Sequence, residues 1–459
     1  MKTKKLLAFL LILVLATGMV YGCSTKKTDT AGSNKVTEEA GTPAPTATAT
    51  AEATPTADYA GTKISFLNSK GEIQTALEEI AKAFEKETGI NVEIIACGTG
   101  ESPYTKITSM YNSGTAPTMA MLDTTDVVAL AKEHAVDLSD EKWINECITQ
   151  VTRVDSKIYS FPFCVEGRGL IYNKKAIEKT LGGEFDPSSI NSYDSLKKLL
   201  EDLRAGGMKN PVVISKEDWS LGAHQLGFIY DTYDGTTAGS EQLIKKLEDG
   251  SLKVEDYSRF NQFIDTLNLL LEYNINGADP LGALYEKDPI FLADGDAAIW
   301  ANGCWAWPNL EEAGASKDDE YGFLPYVLGN DSSDFANVAI QAAPSKQVII
   351  DSTYASEKEV GAAKEFINWL VYNENGQKML VETAALIPAC TNNPYTPADP
   401  LGKDIKNRMS KGKTYTSSYV APSDHWSVLG AAMQKYIGKK STKEELAAEI
   451  DKYWTSQKK

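Results

Sequence analysis

Lys63-Ile64-Ser65-Phe66-Leu67, then Leu77, Ile80, Ala81 and Phe84, then Gly89 and Val92-Glu93-Ile94-Ile95: this stretch decides the fold. The first five residues read as a short, largely apolar strand. The next four recur at i, i+3, i+4 and i+7, one apolar face of a helix. Gly89 supplies the stop, and the second strand follows. A helix through Ile107 and Met110 leads to Pro117 and a buried strand, Met119-Ala120-Met121-Leu122. A βαβαβ beginning predicts α/β architecture. Outward along the chain the helical stripes continue. Leu196, Leu199, Leu200 and Leu203 form one, ended by Gly206-Gly207. Phe260, Ile264, Leu267 and Leu271 form another, and Val360, Ala363, Ile367 and Leu370 a third. Thr442 with Glu445 is a capping box opening a last helix through Leu446 and Ile450. No repeat at a solenoid period is visible.

Toward the N-terminus the texture changes. Lys2, Lys4 and Lys5 precede an apolar run from Leu6 to Val14, a basic and then an apolar region too short to span a bilayer. The run closes at Val20-Tyr21-Gly22-Cys23. A small residue before Cys is the pattern cut by the lipoprotein signal peptidase, with a diacylglycerol added to the Cys23 thiol. Residues 1–22 are therefore expected to be a lipoprotein signal peptide. Residues 23–59 are expected to be the lipidated cysteine and a disordered tether, since Thr, Ala, Pro and Glu offer too little apolar surface to offset ordering entropy. Together these place the protein at the extracellular face of the cell membrane, lipid-anchored in the Gram-positive manner.

The chain carries a net charge of −17. Loss of the three signal lysines, with no acid lost, takes it to −20. Such a surface repels phosphate backbones, so nucleic acid is excluded as a partner. Besides Cys23 there are Cys97, Cys147, Cys164, Cys304 and Cys390, without CxxC spacing. They read mostly as buried small hydrophobes, with room for one disulfide and no metal cluster. His134, His224 and His425 show no metal-ligand spacing. No nucleophile elbow, phosphate loop or dinucleotide fingerprint is present. Enzyme activity is not expected, and no cofactor or metal is implied. A glycosidase would need two facing carboxylates, for which the 63 acidic residues provide raw material but no local motif.

Aromatics in polar settings are the positive signal. Trp300, Trp305 and Trp307 lie within Ala297–Asn309, Trp219 follows Lys216-Glu217-Asp218, and Trp426 sits in Ser423-Asp424-His425-Trp426-Ser427. Sugar rings offer C–H faces to indoles and hydroxyl edges to amides and carboxylates, so such a set suits a carbohydrate. Core packing is the competing reading for each tryptophan taken singly.

Four segments, in order along the chain, resemble the maltose-binding-protein-like family of extracellular solute-binding proteins, family 1. They are Phe84–Val92, Phe161–Lys174, Phe291–Trp307, and Ala363–Leu370 followed by Ile387-Pro388-Ala389. The resemblance implies a two-lobe periplasmic-binding-protein-like fold of type II, hinged by crossing segments. Lobe 1 would comprise residues 60–164 and 343–392, lobe 2 residues 165–342 and 393–459. It implies capture of a sugar, a di- or oligosaccharide, in the interlobe cleft and delivery to the permease subunits of an ABC importer, with a monomer expected. Carried onto matching positions, Trp305 and Trp426 would stack on sugar rings. Glu166 would bond hydroxyls from the first lobe, Trp219 and Glu217 would contribute, and so would Asp123 or Asp126. Cys304 stands where the family more usually has proline. Trp300 and Trp307 read as core; Trp219 has packing as its alternative, and Glu166 a hinge bond. The rival readings are a non-sugar ligand on the same fold, such as a polyamine, a metal ion or a peptide, and a surface glycosidase.

Overall fold

A computed structural model describes residues 59–98, 101–147 and 150–458. The expected signal segment, Cys23 and nearly all of the tether lie outside the described residues. β1 (Lys63–Asn68), β2 (Asn91–Ala96) and β3 (Met119–Asp123) run parallel in the order β2-β1-β3. Ile64 faces Val92, and Phe66 faces Met119. The connecting helix Gln74–Thr88 buries Leu77, Ile80, Ala81 and Phe84, as the spacing predicts. It stops at Gly89, whose φ of 75° is the left-handed conformation that closes a helix end at little steric cost.

β4 (Arg153–Val154) and β5 (Lys157–Ile158) form a small hairpin ahead of β6 (Ser160–Asn173). Then follow β7 (Val212–Val213), β8 (Ile299–Gly303), β9 (Tyr321–Leu324), β10 (Ile340–Ile350) and β11 (Thr414–Tyr415). Among the described residues one sheet runs β2-β1-β3-β10-β6-β8-β7, with β11 beside β10 and β9 beside β6. Side chains alternate between its faces. Phe66 and Val348 join one apolar cluster, Leu67 and Ile349 another. Farther along, Leu170 and Leu324 join a third, Ile171 and Phe323 a fourth. Both faces are thus apolar and covered, and the strands read as near-continuous apolar runs.

The long strands β6 and β10 carry the sheet from the first pair of clusters to the second. On β6 the change falls between Cys164 and Val165, on β10 between Ala342 and Val348. There the pairing of the two strands slips. Pro344 faces Val165, Lys346 faces Cys164 and Gln347 faces Pro162. Such bulges bend a strand and increase its twist. On its other edge Val165 donates its N–H to the Ile387 carbonyl at 2.9 Å.

Some details differ from the sequence reading. Helix Ser258–Glu272 buries Phe260, Ile264 and Leu267, but Leu270 lies inside while Leu271 is only partly buried. A 3.6-residue turn drifts across a strict seven-residue spacing, which moves the last inward position. Val360 likewise lies at the margin of helix Glu357–Tyr372. Of the cysteines, Cys147 and Cys390 form a disulfide across 243 residues of sequence. Cys164 is buried, whereas Cys97 and Cys304 are partly exposed rather than core.

Candidate functional site

The turn after β8 sets the centre of the site. The strand ends at Gly303, Cys304–Ala306 makes one tight turn, and Trp307 opens a short helix with Pro308 in its first turn. The chain leaves the strand before either Trp305 or Trp307. The turn separates them, leaving Trp307 2% exposed in the core and Trp305 partly open. A Cβ on Gly303 would clash with the six-membered ring of Trp305, 2.2 Å from its nearest atom. Glycine there lets the indole lie back across the strand end.

Trp219 precedes Ser220–Gln225, a wide π-type turn of the kind that often marks functional sites. From this turn His224 places its ring 4.4 Å from Trp305 and 5.4 Å from Trp219. Tyr285 stands 5.0 Å from Trp219 and 5.8 Å from Trp300. Trp305, His224, Trp219, Tyr285 and Trp300 thus form a continuous path of rings. Trp300 is its buried end, as expected, its Nε1–H donating to Ser215 Oγ at 3.0 Å. Ser215 in turn donates to Asp288 at 2.5 Å. Burial pushes the Asp288 carboxyl up to about 7. Trp426 lies on helix His425–Ile437, which packs on the Trp219 turn through glycines. A Cβ on Gly222 would strike the Trp426 carbonyl, and one on Gly430 the Asp218 carbonyl. The Trp426 backbone is therefore pinned beside the turn. Its partly exposed indole makes no ring contact among the described residues.

Lys70, Glu72 and Glu166 line a cleft together with Trp305, whereas Asp123, Asp126, Lys346 and Glu217 are not among its lining residues. Asn68 shapes the turn after β1, accepting from the Lys70 N–H and donating to the Lys70 carbonyl, both at 2.9 Å. The Lys70 ammonium pairs with Glu72 at 2.6 Å and with Glu166 of β6. Burial works against its charge, yet the two carboxylates outweigh it and its pKa stands well above the usual lysine value. Glu166 is thus an ion-pair partner rather than a free carboxylate. Asp123, at the end of β3, pairs with Lys346 of β10 at 2.6 Å. Asp126 is buried in the first turn of helix Thr124–His134. Burial and then the Asp123 charge raise its carboxyl to about 7, against the pull of Lys346. Of the two, Asp123 alone keeps a charge-paired carboxylate. Glu217, its carboxyl raised by burial, has an enclosed Oε2 with no partner.

That narrow cleft between the turns after β1 and β8, with about 30 Å³ of water-sized space, is lined by Lys70, Glu72, Glu166, Cys304, Trp305 and Asp399, among others. Glu166 and Trp305 share it directly, and His224 links Trp219 to Trp305. The charges of Glu72 and Glu217 both reach the Tyr285 phenol, whose pKa burial lifts to about 12. Sequence reasoning missed Lys70, Lys346, His224 and Tyr285. The Lys70 signal was there: a polar turn, Asn68-Ser69-Lys70-Gly71, at the carboxyl end of a strand, where α/β sheets collect ligand residues. Lys346, the one charged residue in β10, was also detectable; His224 carried no local sign. Among the described residues no cluster of histidine, cysteine or carboxylate suits a metal.

Residues 79–408 match the family described as bacterial extracellular solute-binding protein. The chain belongs to that family. A multiple sugar-binding protein of Streptococcus mutans is 25% identical over 266 residues, 54% of this solute-binding protein and 59% of that one. The match thus spans less than two thirds of the curated relative. Among solved structures, RafE in complex with raffinose superposes with a TM-score of 0.67 at 20% identity, over 86% of this chain and 100% of that one. A Bacillus licheniformis sugar transporter in complex with stachyose gives 0.64 at 16%, over 86% and 99%. A family 1 extracellular solute-binding protein from Bifidobacterium longum subsp. infantis gives 0.61 at 19%, over 86% and 100%. The solute-binding protein therefore has the two-lobe type II fold, with β6 and β10 as strands shared between its halves. Family membership places it outside the cytoplasm, extracellular or periplasmic, among binding proteins rather than enzymes.

Proposed function

We propose that this protein captures a carbohydrate, a di- or oligosaccharide, in the cleft and delivers it to the permease of an ABC importer without transforming it. The ring path from Trp305 through His224 to Trp219, facing the Lys70–Glu166 pair, carries this reading. Indole faces take the C–H sides of sugar rings. Carboxylate and ammonium edges take hydroxyls, with charge-assisted bonds stronger than neutral ones. Trp426, Glu217 and Asp123 complete the proposed ligand set; Asp126 serves behind them as a buried support. The sugar ligands named for the solved relatives and the curated Streptococcus mutans protein agree with this class. A polyamine is disfavoured because Lys70 and Lys346 already hold Glu166 and Asp123.

The lobes are proposed to divide at 60–164 plus 343–392 and 165–342 plus 393–459. A sugar touching both favours the closed form and shifts the population toward it. The signal peptide 1–22, lipidation at Cys23, the tether to residue 59 and a monomeric state belong to the same proposal. Calorimetry against mono-, di- and trisaccharides tests the function. Binding by at least one oligosaccharide, with a rise in melting temperature by mass action, is expected. A folded protein that binds none of a broad panel overturns the proposal. Mass spectrometry of protein expressed with its own leader tests the anchor, a diacylglycerol adduct on Cys23 being the expected result.

A further inference from the structure

Ala384, Ala385, Leu386, Ile387 and Asp399 all line the cleft, and all come from one stretch of irregular chain. It runs from Thr383, where helix Glu374–Glu382 ends, to Asp399, which caps helix Pro400–Ser410 by accepting the Gly402 N–H at 2.7 Å. Irregular connections longer than roughly 12–15 residues usually carry function. Within this one Ala385 is exposed and holds φ at 53°, the left-handed region that a residue with a side chain adopts only at a cost. Such a conformation lasts only where its surroundings fix it. On either side of it, the Ala384 N–H donates to the Met379 carbonyl at 3.0 Å and the Leu386 N–H to the Leu380 carbonyl at 3.2 Å. Farther on, Cys390 is disulfide-bonded to Cys147 across 243 residues of sequence, and the Thr391 N–H donates to the Glu146 carbonyl at 2.8 Å. Both cysteines are buried in the apolar cluster that also takes in Ala384 and Leu386.

We propose that the Cys147–Cys390 disulfide is a positioning pair for ligand binding: it ties the middle of this loop to the apolar cluster behind it and so fixes one wall of the cleft. The inference rests on the carbohydrate reading above and adds to it the cross-link that sets the wall. A bond closing so long a stretch of chain also stabilises the fold by constraining the unfolded state. That effect does not depend on where in the fold the sulfurs sit. Here they sit on the loop itself, between the cleft residues Ala384 to Ile387 and the cleft residue Asp399. A loop freed of the bond would keep its apolar contacts and backbone bonds, but the sugar would then have to order it. The cost of ordering a binding surface is subtracted from affinity, and a surface already held in place avoids it.

The test compares two paired variants with wild type by calorimetry, using the tightest binder among raffinose, stachyose, chitotriose and the rest of the saccharide panel. Cys147→Ser with Cys390→Ser removes the bond; Cys147→Val with Cys390→Ala removes it and keeps the buried cluster apolar. Each is expected to bind tenfold or more weakly while still unfolding cooperatively. Thr442→Ala is the control for lost stability, since the last helix packs through Leu446 into a different apolar cluster. It should bind as wild type does. A folded paired variant with affinity within twofold of wild type overturns the inference. Amide exchange in the wild type provides a readout that needs no variant. Saturating sugar should slow exchange at Ala384, Leu386 and Thr391 by more than it slows the amides of helix Lys443–Ser456; equal or smaller slowing overturns the inference as well. If the wild type binds no sugar of the panel, the carbohydrate reading has failed; if it binds and the disulfide proves indifferent to affinity, only this inference has.

Discussion

Single residues decide what the cleft can hold. Trp305 offers the exposed ring of the aromatic path, and truncating a central aromatic anchor commonly costs about 2 kcal/mol or more. Trp305→Ala should therefore weaken sugar binding about thirtyfold with little change in melting temperature. Retained affinity by calorimetry would remove Trp305 from the site. Gly303→Ala probes the same ring from below. The added methyl would come within 2.2 Å of the indole and push it aside, so this variant should also weaken sugar binding by calorimetry. Buried acids give a pH signature. Burial raises Asp126 and Asp288 to about 7 and Asp231 to about 6. The folded protein then holds protons that the unfolded chain releases near about pH 4, so their stabilisation is complete below that pH and is lost as pH rises through about 6 to 7. The buried neutral imidazoles of His224 and His425, held down at about 3, work the other way below about pH 6.5. The melting temperature should therefore be only modestly higher at about pH 5.5 than at about pH 8, and Asp288→Asn should flatten part of that slope. A wild-type melting temperature that is flat or falls toward about pH 5.5 rules this out.

At the scale of elements, the helices were the most legible part, because their periodicity is local. Leu77, Ile80, Ala81 and Phe84 fixed the first helix, and Thr442 with Glu445 fixed the start of the last. That cap is intact, Thr442 accepting from the Glu445 N–H at 3.2 Å and Glu445 accepting from the Thr442 N–H at 2.8 Å. Thr442→Ala should cost about 1 kcal/mol and leave sugar affinity unchanged; a variant as stable as wild type in denaturant titration would show that the cap contributes nothing. The turns that build the site were harder to read. Trp305 and Trp307 part company because Gly303 ends β8 and accommodates the indole, a contact invisible in a residue pattern. The π-type turn carrying His224 depends on Gly222 and Gly430 meeting across 208 positions of sequence. Likewise Glu166 stood out as polar in an apolar strand, but its partner Lys70 lies 96 residues earlier. Residue types were readable; which of them met was settled by the sheet.

On the scale of the whole molecule, β6 and β10 are the elements that both halves share, and they slip register together where the core changes. Rigid halves joined by few strands can differ little in energy between open and closed forms, so a modest ligand preference suffices to choose between them. Lys70 and Trp305 line one cleft from turns on opposite sides of that crossing. A sugar seated on Trp305 and bonded to Lys70 and Glu166 would draw those turns together. Small-angle scattering should accordingly show a smaller radius of gyration with saturating oligosaccharide than without. Trp305→Ala should need far more sugar for the same change, because closure is driven by differential binding rather than by occupancy of either half alone. If calorimetry records tight binding while the scattering curve stays the same, the shared strands are not acting as a hinge, and the ligand is being held by one half of a cleft that does not close.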